Sequence, residues 1–448
     1  MARVLFGTDG IRGVAGVYPL DRQTASAAGS ALGRWISQSH AAPSVVIGMD
    51  TRESGPWLAE EVAGGLCSQK VSVDFAGVTT TPGVAYLAKT GSYAAGVMIS
   101  ASHNPYRDNG IKLIGHNGYK LPDEQEELLE AEILARNSQS AQPASLKVDP
   151  DLDRSYMKHL ASTLPHGLGG LEVVVDCANG AASYLAPELF ESLGARVRSI
   201  HCSPNGRNIN LNAGSLHLES LGAAMRSQSA DVGVAFDGDA DRALFIAPSG
   251  KVVDGDAVLL LAAKHMKRSG ELAGENGKPV VVATVMSNLG LEIALASHGI
   301  AMARTPVGDK YVLEEMIRRG AVLGGEQSGH IIFHRHATTG DGMLTALHVF
   351  KVMLESGQDL DALTSELQVF PQKLVNVRVR ERRPLDQLPR VAAEIRAAES
   401  SFGDSGRVLV RFSGTEPLAR VMVEGPDLER VDQFAQRIAA QIQADLGE

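Results

Sequence analysis

Four short stretches of the chain hold residue types whose spacing could do chemistry. The first is Ser100-Ala101-Ser102-His103-Asn104-Pro105, followed by Asn109-Gly110-Ile111-Lys112. A serine leaving a strand on a tight Asn-Pro turn is expected to be exposed, with His103 beside it and Lys112 within loop reach. That suits a nucleophile or phosphoryl acceptor, although the same residues also fit a plain Ser/Asn turn with solvated side chains. The second is Asp237-Gly238-Asp239-Ala240-Asp241-Arg242. Three carboxylates spaced by two crowd together at a cost unless a cation neutralises them, and oxygen-only ligands select a hard ion such as Mg²⁺. A calcium-sensing loop would want Gly and Glu where Arg242 and Pro248 stand. A phosphatase-type Asp-x-Asp nucleophile is the competing reading, but that motif expects a small or β-branched residue in place of Asp241.

The third stretch is Gly324-Gly325-Glu326-Gln327-Ser328-Gly329-His330. Glu326 and Ser328 suit sugar hydroxyls and His330 suits proton transfer near neutral pH; a Gly-rich surface turn explains it as well. The fourth is Arg411-Phe412-Ser413-Gly414-Thr415-Glu416-Pro417, then Arg420. Two arginines flanking a Ser-Gly-Thr turn make a nest for a phosphate, or else a hairpin loop with solvated arginines. Taken together, the four stretches fit phosphoryl transfer on a sugar phosphate. A phosphoserine at Ser102 would carry about −1.5 to −2 charge, and Mg²⁺ held between it and Asp237, Asp239 and Asp241 would neutralise that charge. Two phosphate sites without a Walker A loop or a G-x-G-x-x-G turn favour a mutase over a kinase or phosphatase.

These loops need elements to position them. Apolar runs recur at Val45–Ile47, Gly96–Ile99, Val173–Val175, Asp231–Phe236, Val280–Ala283 and Val408–Val410, with helical stretches such as Leu20–Gln38 and Asp123–Ala135 between them. Continuous Val-rich strands alternating with helices predict α/β domains with largely parallel, doubly covered sheets. Asn137–Pro150 reads as a linker, Pro248-Ser249-Gly250 as a turn ending a second unit, and Phe370-Pro371 as a boundary before the alternating Leu374–Arg380. The resulting domains are 1–150 with the serine loop, 151–250 with the acidic loop, 251–370 with the sugar loop and 371–448 with the arginine loop. The last reads as strand, helix (Leu388–Glu399), strand, loop, strand, helix (Leu428–Leu446), a small α+β domain.

Composition narrows the function classes. The 448 residues are 44% hydrophobic and 21% charged, as in ordinary globular proteins. A membrane span needs about 20 apolar residues, whereas the long apolar run Ala257–Ala263 stops at Lys264. The N-terminal apolar run is too short for a signal peptide. A net charge of −10 argues against nonspecific nucleic-acid binding. Cys67, Cys177 and Cys202, without CxxC spacing, read as reduced buried thiols of a cytoplasmic protein.

With Ser100–Pro105, Asp237–Arg242, Gly325–His330 and Arg411–Arg420 in that order along essentially the whole chain, the sequence resembles the α-D-phosphohexomutases. Finer features resemble the glucosamine branch: Phe6-Gly7-Thr8-Asp9-Gly10-Ile11-Arg12-Gly13, the spelling Gly-Glu-Gln-Ser-Gly-His, and Val307-Gly308-Asp309-Lys310-Tyr311-Val312. The phosphomannomutase/phosphoglucomutase branch usually has Met where Gln327 stands. Ser100 is a common variant of the usual Thr. Met49 in the Gly-x-Asp-x-Arg stretch and Lys310 in place of a frequent Arg are small departures.

The resemblance implies four domains around a central cleft, three related mixed α/β domains and a smaller mobile C-terminal α+β domain. It implies an isomerase that interconverts D-glucosamine 6-phosphate and α-D-glucosamine 1-phosphate, on the route to UDP-N-acetylglucosamine and peptidoglycan. Ser102 would pass its phosphoryl group to the sugar and take the other back from a bisphosphosugar, with one Mg²⁺ per chain and glucose or glucosamine 1,6-bisphosphate as activator. Arg12 and Lys112 would lie near the transferring phosphate, and His103 would orient the loop. Lys112 and His330 are the general acid or base candidates, and Lys112 as base would require a lowered pKa. Arg242, Asp309, Lys310, Glu326 and Ser328 would meet the sugar phosphate, and Arg411, Ser413, Gly414, Thr415 and Arg420 its phosphate. The expected partners are a small sugar phosphate and a second copy of the chain as a homodimer, with neither nucleic acid nor membrane. A sister activity on mannose or glucose phosphates and a catalytically silent sugar-phosphate-binding regulator are the alternatives.

Overall fold

The computed structural model describes residues 4–7, 9–135, 141–384, 387–413 and 417–447. Among these, no helix is long and apolar enough to cross a membrane. The chain divides into two compact units, Met1–Val285 with Ile300–Thr364, and Met286–Gly299 with Ser365–Glu448.

The first unit contains three sheets. In the first, Ser44–Met49 runs parallel to both Ser72–Val78 and Ala95–Ile99, while Asp108–Gly115 is antiparallel to Ala95–Ile99 and to Gly10–Val14. Successive residues serve opposite faces, as strand geometry demands. Val45, Ile47, Val97 and Ile99 join one core, with the helices Arg22–Ser37 and Gly55–Ser68. Val46 and Met98 join another, with the helix Thr81–Thr90. The first of these helices starts where Asp21 accepts the Thr24 N–H at 2.8 Å, an N-cap that satisfies one orphan donor. In the second sheet, Glu172–Asp176 is parallel to Arg196–Ile200 and Val232–Phe236, and Ala243–Ile246 folds back antiparallel. In the third, Val280–Thr284 is parallel to Ala301–Thr305 and Leu323–Gly325, and Ile331–Phe333 folds back.

The sheets are therefore mixed, not largely parallel. The reason is loop length. Each chemistry-bearing loop joins two adjacent strands: Ile99 to Asp108, Phe236 to Ala243, Gly325 to Ile331 and Phe412 to Leu418. A parallel return needs a crossover of about a dozen residues or more. None of these connections is that long, so each closes an antiparallel pair.

Two further readings change. The stretch read as a linker is built into the first sheet where it is described. Val148 bridges Phe75, the Ala144 N–H donates to Glu60 O at 3.0 Å, and Ala144 and Leu146 pack on the core. Its polar composition hid apolar residues at every second position. Of the three cysteines, all free, only Cys177 is buried; Cys202 is half-buried, and Cys67 is exposed on the last turn of its helix.

The second unit has its own core. Gln372–Arg378 and Arg407–Phe412 flank Leu418–Glu424, all antiparallel, under the helices Pro389–Phe402 and Leu428–Leu446. Val377 and Val379 face Ile438 and Ile442, while Leu374 lies on the outer face. The helix Leu289–Ser297 belongs to this unit: the Leu289 N–H donates to Glu424 at 3.0 Å and Asn288 Nδ2 to Phe370 O at 3.0 Å.

Candidate active site

Ser102 begins the return from Ala95–Ile99 and is buried, 2% exposed, where the sequence suggested an exposed side chain. The backbone of a neighbouring loop covers it. A Cβ on Gly238 would lie 2.4 Å from Ser102 O, and one on Gly180 would lie 2.4 Å from Gly238 O. Three backbone segments stack there with no room for side chains, so both positions require glycine. Ser102 itself is left-handed, φ 53°, a conformation that persists in a non-glycine residue only where its surroundings hold it. Its Oγ donates to Asp237 Oδ2 at 2.6 Å and lies 3.4 Å from His103 Nδ1.

Asp237, Asp239 and Asp241 are all buried, with one carboxylate oxygen from each within 4.8 Å of the others. Among the described residues, Asp239 Oδ1 and Asp241 Oδ1 have no hydrogen-bond partner. Buried carboxylates with unsatisfied oxygens aimed together fit a hard divalent cation. The electrostatics agree. Burial, Asp241 and Asp239 push the Asp237 carboxyl well above the usual range, and burial and Asp239 raise Asp241. Burial also acts to raise Asp239, but Lys112 Nζ at 2.7 Å and Thr81 Oγ1 at 2.5 Å outweigh it and hold that carboxyl low.

Lys112 is buried, and burial alone would lower its pKa. Asp239, Asp9 and Asp241 win instead and raise it, so the amine stays charged. It can donate a proton or act as a point charge, but the condition for its acting as a base is not met. The charges continue beyond it. Asp9 Oδ2 lies 3.1 Å from Lys112 Nζ and also pairs with Arg12. Lys120 Nζ bridges Asp9 and Asp309, the latter at 2.5 Å. His330 Nε2 lies 3.8 Å from Asp309 Oδ2 and accepts the Gly340 N–H at 3.2 Å; Nδ1 has no partner among the described residues. One connected cluster thus holds Ser102, the acidic triplet, Lys112, Arg12, Asp309 and His330. Arg242 joins it through its N–H on Asp237 Oδ1 at 3.3 Å and its Nε 3.8 Å from Asp241. Burial, with Arg242 and Arg12 nearby, lowers His103 to about 4, so it is neutral at pH 7.

Two expected residues are engaged differently. Lys310 pairs with Asp123 outside this cluster. Glu326 accepts the Gly308 N–H at 3.0 Å and the Ser328 hydroxyl at 3.4 Å, tying the sugar loop to the Gly308 turn. In the second unit, Arg411 and Arg420 are register partners across the hairpin, and the Ser413 N–H donates to Leu418 O at 2.8 Å. Like charges opposed across a strand pair are unfavourable. Burial and Arg420 lower the pKa of Arg411 accordingly, a pairing that an anion would relieve. Gly414 and Thr415 lie outside the described residues.

Profiles of one family match the chain along its length: phosphoglucomutase/phosphomannomutase α/β/α domain I at residues 3–140, domain II at 154–250, domain III at 254–370 and the C-terminal domain at 374–441. A phosphoglucosamine mutase of Solibacter usitatus is 60% identical over 450 residues, covering 100% of both chains. The chain belongs to the phosphoglucomutase/phosphomannomutase family. Among solved structures, a protein of this family from Burkholderia thailandensis shares the fold with a TM-score of 0.80 at 23% identity, covering 98% of this chain and 99% of that one. The N-acetylphosphoglucosamine mutase of Aspergillus fumigatus, in complex with GlcNAc-6P and magnesium, reaches 0.65 at 19% identity, covering 98% and 96%.

In this phosphoglucomutase/phosphomannomutase family member, sequence reasoning missed residues that touch the cluster without carrying an obvious motif. Thr81 and Lys120 had no signal. Asp9 stood in the quoted opening stretch but without a role, and so did Arg52 in Gly-x-Asp-x-Arg. Asn210, whose Nδ2 donates to Ser102 O at 2.9 Å, could only be found in three dimensions.

Proposed function

We propose that this protein interconverts D-glucosamine 6-phosphate and α-D-glucosamine 1-phosphate through a phosphoserine at Ser102 and a bisphosphosugar intermediate. The observation that carries the reading is the Ser102 hydroxyl 2.6 Å from Asp237 inside a buried triplet of carboxylates. A hydroxyl there can carry a phosphoryl group whose charge a metal ion offsets. Full-length identity of 60% to a phosphoglucosamine mutase supports the amino-sugar substrate.

Asp237, Asp239 and Asp241 would hold Mg²⁺, the ion named with the Aspergillus fumigatus structure. When bound, it would neutralise the phosphoryl oxygens and stabilise the charge that spreads over them during transfer. The chain's own groups do the rest. The Ser102 Oγ–phosphorus bond breaks as a bond forms to the free sugar hydroxyl, and that hydroxyl's proton passes to a base. Transfer from the other end of the bisphosphosugar then restores phosphoserine and frees the isomerised monophosphate. Lys112, charged and fixed by Asp239 and Asp9, stabilises the moving phosphoryl group and can return a proton to the leaving oxygen. His330 is the remaining base candidate: because Nε2 accepts the Gly340 N–H, the neutral ring carries its lone pair on Nε2 and its proton on Nδ1. Arg411, Arg420 and Ser413 supply a second phosphate site, and Glu326 and Ser328 supply groups for sugar hydroxyls.

The test is ³¹P NMR of the protein with Mg²⁺ and a trace of glucose 1,6-bisphosphate. The substrate is an equal mixture of glucosamine, mannose and glucose 6-phosphates. Preferential glucosamine 1-phosphate is expected. Dominant mannose or glucose 1-phosphate would overturn the substrate, and no 1-phosphate at all would overturn the activity.

A further inference from the structure

Arg52 is the largest fully buried side chain among the described residues, 1% exposed, and it spends four of its five donors on one loop. Nε donates to Asp50 Oδ2 at 2.8 Å, Nη1 to Pro105 O at 2.5 Å and Asp108 O at 3.0 Å, and Nη2 to Ser102 O at 2.8 Å and Asn104 O at 2.9 Å. A guanidinium has five N–H groups, and these five bonds use them all. Asp50 is in turn supported. Ser100 Oγ donates to its Oδ2 at 2.6 Å while accepting the Ser102 N–H at 2.9 Å. The Ser102 peptide is thus held from both sides, its carbonyl by Arg52 and its N–H by Ser100.

We propose that Arg52 is a positioning residue for phosphoryl transfer. With Asp50 and Ser100 it holds Ser102 in the left-handed conformation that aims Oγ at Asp237, without itself meeting the sugar phosphate. The proposal rests on the reading of Ser102 as the phosphoryl carrier. A charged guanidinium taken fully out of water is costly unless every donor is satisfied. Here that satisfaction comes from four carbonyls of the serine loop, not from a helix or a core. The loop needs such a hold because a dianionic group leaves and returns at Ser102 in every turnover, and small misplacements of a reacting atom are costly.

The experiment mixes dephosphorylated protein with glucose 1,6-bisphosphate and Mg²⁺, and follows phosphate gain at Ser102 by intact mass alongside steady-state kcat and KM. Arg52→Lys keeps a charge beside Asp50 but cannot reach four carbonyls. It is expected to slow both phosphorylation and kcat by roughly 10–100-fold, a loss of the size that small misplacements produce, with KM for the 6-phosphate nearly unchanged. Ser100→Ala removes the two bonds of one hydroxyl and leaves the Arg52 contacts in place, and should slow phosphorylation less while the protein stays folded at the assay temperature. It decides the matter if Arg52→Lys does not fold. Parental phosphorylation rates in a folded Arg52→Lys, or failing that in Ser100→Ala, would overturn the proposal, as would a raised KM with unchanged kcat. A parent protein that takes no phosphate at Ser102 would instead sink the carrier reading, and the clamp with it.

Discussion

The loops Asp237–Arg242 and Ser413–Pro417 occupy the same place in their sheets, each joining two adjacent antiparallel strands. They use it in opposite ways. The first buries its carboxylates and takes partners from far along the chain, Ser102 across 135 positions, Lys112 across 127 and Thr81 across 158. The second has its two arginines, both half-buried, facing each other across one strand pair. A charge held by burial and distant partners ties function to stability. A half-exposed charge with local neighbours leaves the two separable.

The comparison can be tested at several strengths. Ser102→Ala should remove the largest share of turnover, at least about 10³-fold as for loss of a nucleophile, yet lower the melt less than metal removal does, because it takes one hydrogen bond from Asp237 and no counter-charge. Removing divalent metal with a chelator should cost nearly as much turnover. It should also lower the melting temperature, because three buried carboxylates lose their counter-charge. A melt indifferent to chelation would break the comparison. Lys112→Met should lower both quantities, leaving Asp239 buried without its cation. The expected losses are about 3–5 kcal/mol in urea unfolding and roughly 100-fold in kcat.

Arg411→Ala sharpens the other side. KM for the sugar phosphate should rise about tenfold, the worth of one charged hydrogen bond, while stability stays within about 0.5 kcal/mol. The smallest effect concerns pH. Burial raises Asp341 from 3.8 to about 6, although it caps a helix through the Leu344 N–H and accepts from Tyr156. The folded chain therefore holds this proton more tightly than the unfolded one, and stability falls as pH climbs from about 4 to about 6. Asp341→Asn keeps both contacts and should flatten that fall, read as melting temperature against pH, without changing turnover. An equally steep fall in the variant would remove Asp341 as its source.

Much of the candidate cluster was readable one loop at a time, because Ser102, the acidic triplet and His330 each stand in a loop with distinctive residue types. Their sheet direction was misread as largely parallel, although a connection as short as that from Phe236 to Ala243 cannot cross over. The Val-rich strands obscured it, because a strand covered on both faces looks alike in parallel and antiparallel company. What could not be read were the non-local terms. The burial of Ser102 depends on Gly238 and Gly180 from another sheet. The charge on Lys112 depends on Asp239 and Asp9, and Arg52 looks like any arginine until its five acceptors converge on it.

The helix Leu289–Ser297 lies in the chain between two strands of the third sheet but packs with the C-terminal unit. For recombination between homologues, the consequence is a split inheritance. A chimera with its junction near Ser365 would take this helix from one parent and its partners Gln368, Phe370 and Glu424 from the other. Gly290 sits so close to Gln368 that a Cβ there would lie 1.8 Å from its carbonyl, and Asn288 reads the Phe370 backbone. Breeding a new C-terminal module into this scaffold therefore calls for two grafts, the terminal segment and the helix encoded some 80 codons upstream.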